Sequence, residues 1–184
     1  MGLASLAKLV TIVVFGEQWE GMITTLRILC FVSLIQAIAN STGWLYTATG
    51  NTKKYLHIGI VNAIVTVSFI ILGVLWGSIE KVAICYFLAN AIMLAPLINW
   101  AGKNIGLSFF DVLKKIYSSL ILSLIMGVIV YLVVIFLKDF INDTAILFIA
   151  IIIGIITYIS LAFLFKLSAF LEIKDIIFKR KKLR

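Results

Sequence analysis

Lys8, Arg27, Gln36, Asn40 and Asn62 stand inside long, largely apolar runs. They are the groups with which this chain could act on another molecule. A charge at membrane depth is a candidate for function by default, because hydrocarbon offers it no partner. Arg27 and Lys8 lie about 9 Å and 10 Å from the short connection that joins their two segments. Two cations at one depth on consecutive segments could hold a phosphate or pyrophosphate. The bland role for Arg27 is to snorkel to the headgroups, and for the amides to bond helix to helix.

Covalent chemistry has no comparable set of residues. The eight acidic residues are scattered, with Asp139 and Asp143 on one side of the bilayer and Asp111, Glu172 and Asp175 on the other. The single histidine, His57, has no acidic neighbour, and no phosphate-cradling glycine loop ending in Lys-Ser or Lys-Thr occurs. Cys30 and Cys85 fall within apolar runs without metal-ligand spacing, so neither a disulfide nor a metal site is expected. No enzyme and no cofactor are expected.

The class follows from composition. Of 184 residues, 63% are hydrophobic and 13% charged, with a single proline and a mean hydropathy of +1.18. Soluble domains are about half apolar and a quarter charged, so this is a membrane protein. A net charge of +8 could suggest nucleic acid, yet the cations occur in short clusters between apolar runs rather than on one solvated face. Their partner is the membrane surface with its anionic lipids, and no nucleic acid is expected.

A helix crossing about 30 Å of hydrocarbon needs roughly 20 apolar residues. Five stretches qualify as full spans: Met22 to Thr49, Tyr55 to Trp76, Val82 to Ala101, Ile116 to Leu137 and Thr144 to Phe165. They lack the alternation of a membrane β-barrel, so the fold class is an all-α polytopic transmembrane bundle. Leu3 to Phe15 has 13 residues and reads as a partial span, neither long enough to cross nor built as a signal peptide. The chain therefore reads as one transmembrane domain over residues 1–184, the C-terminal part of a larger transporter. With the Gly16 to Gly21 loop outside, twelve lysines and arginines lie in inside segments and two, Lys81 and Lys138, in outside ones. That asymmetry predicts a cytoplasmic C-terminus, with residues 166–184 a basic tail. Ser108 to Tyr117 and Leu171 to Leu183 carry the pattern of helices lying in the headgroup layer.

The helix faces sort the polar residues further. Ser33, Gln36, Asn40, Gly43 and Thr47 fall within about 80° of arc, a polar stripe that must face other helices or a wet cavity. Gly59, Asn62, Thr66, Gly73 and Gly77 fall within about 60° in the next span, where small residues suit close helix packing. Ser119, Ser123, Gly127 and Tyr131 give a weaker third stripe. Arg27 points about 160° from the Gln36 and Asn40 stripe, so the two can share a cavity only if the helix bends, with Asn40 to Gly43 as the break.

One family is suggested by a span ending in Phe15-Gly16-x-x-Trp19 and a long helix carrying Gln36 and Asn40. That helix closes with Ala48-Thr49-Gly50-Asn51-Thr52-Lys53. The combination resembles the C-terminal half of polysaccharide and O-antigen flippases, in the superfamily that also holds multidrug exporters and peptidoglycan lipid flippases. The resemblance implies a two-lobed bundle of which this chain is most of the second lobe, with an N-terminal lobe as its partner. It also implies passage of an undecaprenyl-diphosphate-linked oligosaccharide across the bacterial inner membrane through a cation-lined cavity, with Arg27, Lys8, Gln36, Asn40 and Asn62 as cavity residues. The rival expectations are a drug or ion exporter of the same superfamily, which calls for intramembrane carboxylates, and a structural membrane subunit.

Overall fold

A computed structural model describes residues 1–48, 50–103, 106 and 108–165. Among these residues the chain is helical and without strands, and five helices are long and apolar enough to cross a membrane. They are α3 (Ile23–Ala48), α4 (Thr52–Leu75), α5 (Ile79–Gly102), α6 (Phe109–Leu137) and α7 (Asp143–Leu164), each within a few residues of a predicted span except at the start of α6. Before them come two single turns, α1 (Gly2–Ser5) and α2 (Ala7–Val10), a π-helical turn over Thr11–Phe15 and a 3-10 helix over Glu17–Met22. Gly16, at φ 95°, makes the turn between the last two, a backbone conformation that a side chain would strain.

The sequence sets the ends of the helices. Gly77 adopts φ 77° just past α4, and its N–H donates to the Val74 carbonyl, the left-handed cap for which glycine is suited. Ser108 and Asp111 form a capping box at the head of α6, where the Ser108 N–H donates to Asp111 Oδ2 at 2.9 Å. This box changes one expectation. Ser108 to Tyr117 is not a separate interfacial helix but the beginning of a 29-residue helix that continues unbroken to Leu137. Nothing between the cap and Ile116 is a breaker, and at about 43 Å the helix simply outruns the hydrocarbon layer of about 30 Å. The second expected interfacial segment, Leu171 to Leu183, and the basic tail lie outside the described residues.

The bundle has two packing units. In the first, α5 is the hub, lying along both α3 and α4, while α3 and α4 touch each other little. Ala83, Ala89 and Ala101 on α5 are buried, and Gly73 of α4 lies so close that a Cβ there would sit 2.6 Å from Val82 Cα. Lipid tails are as apolar as leucine, so such close approach, rather than hydrophobic burial, holds helices together. In the second unit α6 pairs with α7, and a Cβ on Gly154 would lie 3.2 Å from Val130 Cγ2. The N-terminal segment joins the units. Leu6 and Leu9 pack with Val130, Ile146, Leu147 and Ala150, and Ser5 Oγ donates to the Gly127 carbonyl at 2.9 Å. A further tie is the Phe109 N–H, which donates to Asn99 Oδ1 at 2.9 Å across the α5–α6 connection.

Candidate functional site

Several polar groups of α3 are already satisfied within the chain. The hydroxyls of Ser33, Ser41, Thr42 and Thr47 donate to carbonyls of Leu29, Ile38, Ala39 and Gly43, three or four residues back along the same helix. The segment from Asn40 to Gly43 stays helical, so the break that would turn Arg27 toward Gln36 and Asn40 is absent. Gln36 Nε2 donates to Tyr86 Oη at 2.6 Å and to Asn90 Oδ1 at 3.4 Å, while Asn90 Nδ2 donates to the Tyr86 carbonyl at 2.8 Å. This α3–α5 cluster is the helix-to-helix use of a half-buried amide. Sequence reasoning did not single out Tyr86 and Asn90. Their signal was a polar pair four residues apart within an apolar run, the same spacing as Gln36 and Asn40.

Asn40 and Asn62 behave differently. Among the described residues neither amide has a hydrogen-bond partner within the chain. Both line one cleft of about 600 Å³ between α3 and α4, floored by Leu97 of α5 and walled also by Thr42, Thr52, Tyr55 and Gly59. The cleft exists because α3 and α4 both lean on α5 and not on each other. Thr52 and Tyr55 of its lining lie in the first turn of α4, at the end of the bundle where α3 is joined to α4. Asn40 lies about 12 Å along α3 from that end and Asn62 about 15 Å along α4, which puts both amides well below the headgroups. Tyr55 reaches from α4 across to α3, where its ring stacks on Tyr46 at 5.5 Å and its hydroxyl lies over Gly43. No charged side chain lines the cleft among the described residues.

The two cations lie elsewhere. Arg27 is exposed and lines a shallow groove of about 290 Å³ with Ser5, Phe31, Gly127 and Tyr131, between the N-terminal segment, α3 and α6. Lys8 is exposed and does not line that groove. Neither cation has an ion-pair partner among the described residues. The structure thus brings Asn40 and Asn62 together, assigns Gln36 to the α3–α5 contact, and places Arg27 about 20 Å along α3 from Asn40. The glycine stripe of α4 divides in the same way, with Gly73 in the α5 contact and Gly59 in the cleft.

No family model and no solved structure matches the chain. A stretch of 125 residues, 68% of the chain, is 26% identical to an uncharacterized membrane protein in the cps region of Klebsiella pneumoniae. The aligned stretch spans 24% of that relative, about a quarter of its length. The chain is therefore a polytopic helical membrane protein, similar over two-thirds of its length to a membrane protein from the cps region of a bacterium.

Proposed function

We propose that this chain takes part in bacterial polysaccharide biosynthesis by moving an undecaprenyl-diphosphate-linked oligosaccharide across the inner membrane. In this reading it acts as the second lobe of a flippase, alongside a first lobe, and carries out no covalent chemistry. The observation that carries the reading is the cleft lined by both Asn40 and Asn62, without partners among the described residues, at a depth where lipid supplies no hydrogen bonds. Such a cleft suits a polar cargo, and similarity to a membrane protein of a cps region, a capsule polysaccharide gene region, supports a glycan as that cargo.

The deciding experiment is deletion of the gene in its own strain. Surface polysaccharide is expected to fall sharply while the lipid-linked intermediate accumulates, and the intact locus is expected to restore both. Unchanged surface polysaccharide and no accumulation would end the transport reading.

The same reading sets the orientation. Twelve cationic residues in one set of connecting segments against two in the other favour a cytoplasmic α3–α4 connection and C-terminus. Single cysteines introduced near Lys53 and Lys114 should react only with reagents that reach the cytoplasm, and those near Glu17, Glu80 and Asp143 only from the opposite side. Labelling of residue 184 from the periplasm would reverse the assignment.

A further inference from the structure

We propose that the α3–α4 cleft is a subsite for the uncharged, hydroxyl-rich sugar residues of the cargo, with Asn40 and Asn62 as its hydrogen-bonding pair and Tyr55 as its aromatic wall. This deepens the transport reading and rests on it, because it assigns the cleft to the glycan and not to the diphosphate. On α3 the hydroxyls of Ser33, Ser41, Thr42 and Thr47 bond to their own helix and the Gln36 amide to α5. Among the described residues Asn40 and Asn62 have no such partner, yet both line one cavity. Each amide offers one acceptor and two donors, which complements hydroxyls that donate and accept at once. An anion is a poor match, since no charged side chain lines the cleft among the described residues and an unpaired buried charge is expensive.

The cleft holds about 600 Å³, within the range of about 300 to 1,000 Å³ typical of ligand sites whose mostly apolar walls, here including Leu56, Ile58 and Ile60, carry a few polar groups. The wall at Gly59 is open: a Cβ built there meets nothing within 4 Å. Thr52 and Tyr55, in the first turn of α4, line the end of the cleft that is nearer the cytoplasm in the proposed orientation.

The test uses the whole protein in inside-out membrane vesicles, with Cys30→Ala and Cys85→Ala to remove background thiols and Gly59→Cys as reporter. A membrane-impermeant thiol reagent is expected to reach the introduced thiol. Free oligosaccharide, released by mild acid from the strain's own lipid-linked intermediate, is expected to slow that reaction about tenfold at ten times its Kd. Undecaprenyl diphosphate without sugar is expected to leave the rate unchanged. Asn40→Ala or Asn62→Ala should abolish protection while the rate without ligand stays the same. The proposal is overturned by an unreactive reporter, which would mean that lipid or protein fills the cleft. It is equally overturned by no protection from the oligosaccharide, by equal protection from undecaprenyl diphosphate, or by protection that survives both asparagine substitutions. Binding is read here without flux. Export that depends on the gene but shows no protection would refute the subsite alone, and protection without dependence would refute transport.

Discussion

Arg27→Ala in the complete protein is expected to reduce export about tenfold to a hundredfold while protein level and membrane insertion stay normal. A hydrogen bond to a charged group contributes about 1.5–3 kcal/mol, and each 1.4 kcal/mol is tenfold in an equilibrium. Arg27 is exposed within a membrane-spanning helix, has no ion-pair partner among the described residues, and edges a groove that also holds the Ser5 hydroxyl and Tyr131, so an anionic part of the cargo can reach it. Arg27→Lys should keep part of the activity, because a point charge still meets a phosphate but loses the two-pronged geometry of guanidinium. Export at the normal rate by Arg27→Ala, at native expression, would show that this side chain only snorkels to the headgroups. Lys8→Ala is expected to have the smaller effect, since Lys8 lies outside the groove.

The second large effect concerns assembly. Gly73→Ala is expected to cost about 1–3 kcal/mol, the usual range for overpacking, and Gly73→Leu to prevent α4 from docking on α5. The added Cβ would meet Val82 Cα at 2.6 Å, Val82 N at 3.1 Å and the Lys81 carbonyl at 3.2 Å. These are backbone atoms, so no rotamer change relieves the clash and the helices must separate. Gly59→Ala, with nothing within 4 Å, should leave stability unchanged. The measurement is the Tm of the two variants in the same detergent: a clear drop for Gly73→Ala against none for Gly59→Ala. Equal Tm values would mean that the α4–α5 contact yields without cost.

The five spans were legible because each is a continuous apolar run of the right length, which no competing structure can satisfy in lipid. Their ends were less so. The Ser108 and Asp111 cap was not read from the sequence, because the amphipathic spacing within Ser108 to Tyr117 suggested a separate surface helix instead. The polar stripe of α3 was also legible, as was the opposite direction of Arg27, since both depend only on helical periodicity. The sequence could not divide that stripe. Gln36 and Asn40 lie on one face at four-residue spacing, and only the crossing of α5 decides that the first meets Tyr86 and Asn90 while the second faces a cavity. The meeting of Asn40 with Asn62 is likewise a consequence of both helices leaning on a third.

The bridging role of the N-terminal segment has a consequence for biogenesis. Leu6 and Leu9, made well before α7, are buried against Ile146, Leu147 and Ala150 on α7. The α4–α5 hairpin, closed by the Gly77 turn, can dock as soon as both its helices are in the bilayer, because its contacts are local. The opening segment has to wait. Until α7 is synthesised and inserted, its apolar face has only α3 and α6 to lean on, and an insertion intermediate of this kind is a natural target for membrane chaperones and proteases. A segment made well before α7 is thus packed only once α7 is in place, and its burial marks the completed bundle.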